Sequence, residues 1–179
     1  LRDRFQEVPP DKLEQELWDY LDMGLPESEF SDTKHSDFKD TSQPATISSA
    51  LRYQLMEEAE PGQLLLNPWL ADRNKTPAFT ASERKSAVRF DFPKTRITTS
   101  EWRLPEGVTI EELPGAVNIT NELGSFSRSC RDKDGDVVCE RKFVLSKMDL
   151  QNLAEYAEAK AFFEQVAKHD QEVIVLNLE

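Results

Sequence analysis

The sequence predicts a mainly all-β protein: an antiparallel β-sandwich, jelly-roll-like or immunoglobulin-like, with an N-terminal helix and a C-terminal helix followed by a final strand. Three observations predict it. Period-two alternation of apolar and polar residues recurs along the chain, as in Ser86–Phe92, where Val88, Phe90 and Phe92 share one face and Arg89 and Asp91 the other. Turn signals separate these runs at regular spacing: Pro61-Gly62, Pro105-Glu106-Gly107, Pro114-Gly115, Glu122-Leu123-Gly124 and Asp134-Gly135. Helical spacing of apolar residues occurs in two segments, one near each end.

The first of these is PPDKLEQELWDYLD, residues 9–22. Pro9 and Pro10 suit a helix start, and Asp11 puts negative charge in the first turn. Leu13, Leu17, Trp18 and Leu21 form one apolar face, and Gly24 and Pro26 end the helix. Residues 27–44 are polar, with a weak strand around Phe30. Residues 45–56 predict a long strand with apolar Ile47, Leu51, Tyr53 and Leu55, its phase slipping near Ser49 and Ala50 as at a bulge. Gln63–Pro68 is a short buried strand. Residues 69–84 form the longest loop, where function often sits. Ser86–Phe92 is a strand broken by Pro93, and Arg96–Leu104 follows it. The stretch Trp102–Leu145 is a run of short strands: VTIEEL, AVNIT, GSFSRSCR and VVCERKFVL. Residues 153–169 are the second helix, with Leu153, Tyr156, Ala159, Phe162, Phe163 and Val166 on its buried face and Lys168 and His169 at its C-terminal end. EVIVLNL is a last, β-rich run expected to pair inside the sheet. The total is about ten strands and two helices, at the spacing of a sandwich.

The 179 residues suffice for one domain with a core, and 38% hydrophobic with 31% charged residues is ordinary for a globular chain. A net charge of −12 repels phosphate backbones and anionic lipid, so no nucleic acid is expected as a partner. No apolar run approaches the roughly 20 residues of a membrane span, so no membrane insertion is expected. No signal peptide is visible, but the chain begins at Leu1 rather than Met and is expected to be a processed or excised piece. Residues 1–26 are then a helical linker from an upstream domain, and residues 27–179 the β-sandwich domain.

The cysteines give the sharpest local inference. With Asp134-Gly135 central in a type I′ turn, residue 133 pairs with 136 and Cys130 with Cys139. That pair is non-hydrogen-bonded, with α-carbons about 4.5 Å apart, inside the range a disulfide tolerates. A Cys130–Cys139 disulfide is expected outside the cytoplasm; two packed thiols are the other possibility. The same register sets Arg128 opposite Arg141, which repel unless solvated.

Other candidates are weaker. The turn Asp132–Asp136 faintly suggests calcium, but it lacks the spacing and distal Glu of an EF-hand loop, and a hairpin turn explains it. Trp18, Trp69 and Trp102 could make a sugar-stacking platform, although large aromatics at such positions are usually core. Trp69, at the mouth of the longest loop, and Trp18 are kept as ligand or partner contacts. Thirty-four acidic residues do not by themselves place two carboxylates for glycoside hydrolysis. Asn118-Ile119-Thr120 matches a glycosylation sequon, and no glycan is inferred from it. No catalytic residue, cofactor or metal site is expected.

The later strands carry a resemblance. Leu104-Pro105-Glu106-Gly107, Glu112-Leu113-Pro114, Gly124-Ser125-Phe126-Ser127, Asp134-Gly135, Tyr156 and Ile174-Val175-Leu176 fall in an order similar to the C-terminal β-sandwich domain that follows the transglutaminase-like domain in a family of Gram-negative bacterial proteins. The match is strong after residue 86 and looser before it, where LNPWL (66–70) also fits. Such proteins carry an export signal, an N-terminal β-domain, a papain-like transglutaminase core and then this domain. Their core needs a Cys at a helix N-terminus with a neighbouring His and Asp. Cys130 and Cys139 lie in a hairpin, His35 in a polar loop and His169 at a helix end, so the resemblance implies a core upstream and absent from this chain.

Two expectations follow. The first is a non-catalytic accessory or interaction domain of an exported, periplasmic or extracellular transglutaminase-like protein, partnered by its own upstream domain. The second is a module binding a polysaccharide or protein ligand through residues 69–84. A weaker third is a carboxylate hydrolase.

Overall fold

The computed structural model describes residues 2–21, 29–52, 60–69, 79, 81–82, 84 and 86–178. Among the described residues the fold is mainly β, with antiparallel strand pairs, a C-terminal helix that leads into a last strand and no closed barrel. It divides into two compact units, Leu1–Leu55 and Met56–Glu179. That division differs from the expected boundary at residues 26/27. The hairpin at residues 29–52 shares a core with the N-terminal helices and therefore belongs to them.

In the first unit, helix α1 (Arg2–Phe5) precedes α2 (Pro10–Leu21), and strands β1 (Glu29–His35) and β2 (Ile47–Arg52) form an antiparallel pair. Phe5, Leu17 and Phe38 are the core, with Val8, Leu13, Ala45 and Ile47 packed around them. The extra helix α1 is too short to show periodicity in sequence. Arg2 fixes it, donating to the carbonyls of Phe38 (3.1 Å), Asp40 (2.5 Å) and Gln43. The expected irregularity near Ser49 lies across the ladder. The register shifts between Ser31 and Lys34, where Asp32 has φ 51°, while β2 alternates without a break. Ser49 fills an inward position through its hydroxyl, 2.9 Å from Thr33 Oγ1. The expected extension of β2 beyond Arg52 lies outside the described residues.

The second unit holds β3 (Gln63–Leu66), β4 (Val88–Arg89), β5 (Lys94–Trp102), β6 (Val108–Glu112), β7 (Val117–Thr120), β8 (Gly124–Lys133), β9 (Asp136–Leu145), β10 (Asp149–Leu150), α3 (Leu153–Asp170) and β11 (Ile174–Leu178). They form a four-stranded sheet ordered β5-β9-β8-β7, a three-stranded sheet ordered β3-β11-β6, and the short pair β10-β4. The β8–β9 hairpin turns on Asp134 and Gly135, with φ 58° and 90°, the left-handed pair a type I′ turn requires. Asp132 Oδ1 caps it by accepting from Gly135 N at 2.8 Å.

The core lies between one face of the four-stranded sheet and α3. Phe126, Phe143 and Leu145 of the sheet meet Tyr156, Ala159, Phe162 and Val166 of the helix. Gly124 pairs with Leu145 at the sheet's end because nothing larger fits: a Cβ there would lie 1.9 Å from the Val144 carbonyl oxygen. The helix starts at Asn152, whose side chain accepts from Glu155 N at 3.0 Å. Ser86–Phe92 shortens to a two-residue strand. Val88 and Phe90 pack against the core as expected, but the chain bends at Asp91 and leaves Phe92 65% exposed.

Candidate functional site

The inner face of the four-stranded sheet changes character along its length. Side chains alternate in direction, so Phe126, Arg128 and Cys130 of β8 share a face with Phe143, Arg141 and Cys139 of β9. The register pairs them directly: Phe126 with Phe143, Arg128 with Arg141, Cys130 with Cys139. An aromatic row, a cationic row and a sulfur row thus succeed one another, and the last turn of α3 ends over the cationic row.

Both arginines are buried. Their mutual repulsion is offset by two carboxylates, one facing each arginine. Arg141 meets Asp170, the last residue of α3, through two bonds of 2.7 Å from Nε and Nη2. Both side chains are all but excluded from solvent, at 3% and 0% exposure. The guanidinium also lies over the Phe126 ring, 5.2 Å from its centroid. Arg128 meets Glu172, two residues further on, through Nη2 and Oε2. Glu172 divides its oxygens: Oε1 lies 2.6 Å from His169 Nδ1. Burial pushes the Glu172 carboxyl up, but the bonds to His169 and Arg128 outweigh it and hold the pKa below its ordinary 4.5.

The segment after β3 joins the same cluster. Asn67 Nδ2 donates to the Asp170 carbonyl at 3.1 Å, and Asn67 Oδ1 accepts from Trp69 N at 2.8 Å. Leu66, Pro68 and Trp69 are all buried. Residues 66–69 therefore clamp the strand exit to the helix end. Two cations, two carboxylates, a histidine and an asparagine make a latch at the α3–β11 corner. Each carboxylate already has a cationic partner inside the fold, so the cluster's evident work is to hold the helix end on the sheet.

Cys130 and Cys139 are joined in a disulfide across this face, with α-carbons 4.1 Å apart. Neither sulfur is then available as a thiolate. Trp69 is 0% exposed, which corrects its reading as a ligand contact. The loop it opens lies mostly outside the described residues. Trp18 is half-buried in the first unit, its Nε1 donating to Thr33 Oγ1 at 3.2 Å. His35 ends β1 and stacks on Phe38, ring centroids 5.2 Å apart. Asp132, of the acidic turn, serves the turn itself, and Asp136 accepts from Leu104 N at 3.1 Å. Among the described residues, no group of three or more His, Cys, Asp or Glu could hold a metal ion, and no helix is long and apolar enough to cross a membrane.

Sequence reasoning missed the carboxylate half of the latch. The signal available was the pairing of Arg128 with Arg141: two inward-facing cations demand two anions, and Asp170 and Glu172 stand at the end of the one helix able to cover them.

The geometry can be set beside known proteins. No curated protein matches the sequence. A crystal structure from Parabacteroides distasonis, described as a proposed protease, is similar, with a TM-score of 0.54 at 15% identity over 67% of this chain. At that identity the likeness is one of fold. The aligned region is 24% of that protein, so this chain spans about a quarter of the length of the structure it matches. A family model described as a "Domain of Unknown Function with solved-structure structure (DUF3858)" matches residues 62–176, from the start of β3 into β11. The chain belongs to that family.

Proposed function

We propose that this chain is a non-catalytic accessory domain of a longer exported protein, with a transglutaminase-like core elsewhere in the same polypeptide as its partner. The observation that carries this is the proportion of the structural match: the same fold forms only 24% of a much longer protein. The description of that protein as a proposed protease supports a catalytic core elsewhere in the longer polypeptide. The polar cluster supports a structural role, since its charges are matched to one another. The Cys130–Cys139 disulfide supports a periplasmic or extracellular home, where such bonds persist.

The second expectation, a polysaccharide- or protein-binding module working through residues 69–84, loses its anchor with the burial of Trp69.

The test begins with the gene that encodes this chain. Its upstream reading frame is expected to encode a Cys-His-Asp core. The full-length protein should incorporate a labelled amine into, or hydrolyse, glutamine-containing peptides, and the 179-residue chain alone should do neither. Turnover by the isolated chain, or the absence of such a core, would overturn the proposal.

A further inference from the structure

Arg128 is a fully buried cation with more donors than partners. Its side chain has 0% exposure. Nη2 is held by Glu172, but Nε and Nη1 have no hydrogen-bond partner among the described residues. Glu172 meets Arg128 through Oε2 alone, its other oxygen turned to His169 Nδ1. Asp170 is committed to Arg141 through both oxygens. A third orphan lies on the same face. Ser100 pairs with Cys139, one inward-facing step from the Thr98–Arg141 pair, and its buried Oγ has no partner among the described residues.

Buried polar groups almost always find partners, and an unsatisfied donor on a charged group is among the most costly exceptions. Whatever meets these N–H groups must be an acceptor, and it must be small, since the guanidinium is closed to solvent. The charges decide between the two small candidates. Arg128, Arg141, Asp170 and Glu172 already balance, so a buried anion would add an uncompensated charge. Water adds none. Its own protons need acceptors, and an unsatisfied hydroxyl, Ser100 Oγ, lies two strands over on the same face.

We propose that ordered water is built into this core beside Arg128, bound at Nε and at Nη1, with Ser100 Oγ in the same hydrated inclusion. The two arginines then differ in kind. Arg141 sits in a dry, closed pair, and Arg128 in a hydrated one. The water lets a half-exposed carboxylate neutralise a wholly buried cation without giving up His169.

The experiment is a crystal structure of the chain, grown with bromide, at a resolution that orders solvent. Water peaks within hydrogen-bond distance of Nε and Nη1, with no anomalous signal there, are expected. An anomalous bromide peak on Arg128 would replace water with an anion. A guanidinium turned onto backbone carbonyls, with no solvent peak, would make the site dry. Either result overturns the proposal. In solution, oxygen-17 relaxation dispersion counts long-lived buried waters. The Arg128→Met/Glu172→Gln variant should lose at least one of them while keeping the parent circular dichroism. An unchanged count in a folded variant contradicts the proposal, and if the variant does not fold, the crystal decides.

Discussion

Arg128 and Arg141 face each other across one pair of strands, carry the same charge and are equally buried, yet the fold treats them differently. Arg141 has a bidentate carboxylate that is itself fully buried, and an aromatic ring beneath it. Arg128 has one bond to a carboxylate that is 38% exposed and shared with His169. The difference shows where the chain is rigid. Asp170 is the last residue of α3, fixed by the helix and by Asn67. Glu172 lies beyond the helix, in the short link to β11, where solvent reaches it. Removing either carboxylate leaves a buried arginine without its counterion, but solvent reaches the Glu172 position and can partly replace its charge, whereas at the closed Arg141–Asp170 pair nothing can.

The largest effect should follow from breaking the closed half. Asp170→Asn removes the charge opposite Arg141 and should cost about 3–5 kcal/mol, read as a lower urea midpoint with an unchanged slope. Loss of the sulfur row comes next. Replacing Cys130 and Cys139 together with Ala opens a short covalent loop and should cost about 2–4 kcal/mol. Intact-mass analysis of the parent protein should find no thiol that alkylates before reduction. Gly124→Ala tests the tight end of the same sheet. A methyl group driven against the Val144 carbonyl should cost about 1–3 kcal/mol by thermal unfolding.

The smallest effects belong to the open half. Glu172→Gln keeps an oxygen for Arg128 but loses the charge, and should cost about 1–2 kcal/mol. The same pair sets a pH dependence. The Glu172 pKa is lowered in the fold, so its contribution is present above 4.5 and is lost as pH falls through the depressed folded value. A urea titration from neutral to acid pH should show that loss in the parent protein and a shallower one in Glu172→Gln.

How much of this was legible in the sequence follows from how local each feature is. The β8–β9 hairpin was legible to the residue, because Asp134-Gly135 fixes the turn and the turn fixes the register as far as Cys130 and Cys139. Helix α3 was legible from its spacing and charge bias. The Arg128–Arg141 pairing was legible too, but not its resolution, since Asp170 stands 29 residues from Arg141 and Glu172 44 residues from Arg128, and only packing brings them to the sheet. Trp69 was misjudged because a tryptophan at the mouth of a long polar loop has the same sequence signature whether it faces inward or outward. Asn67 ties its backbone to the α3 terminus, a link that no local pattern encodes. The packing of Phe38, in a polar stretch, against Phe5 is likewise encoded in no local pattern.

The claim beneath all of this is that the buried charges are a structural latch with one closed and one open half. Side-by-side urea unfolding of Asp170→Asn and Glu172→Gln at neutral pH tests it most directly. The latch predicts a much larger drop in midpoint for Asp170→Asn than for Glu172→Gln. Equal drops, or a larger one for Glu172→Gln, would contradict it.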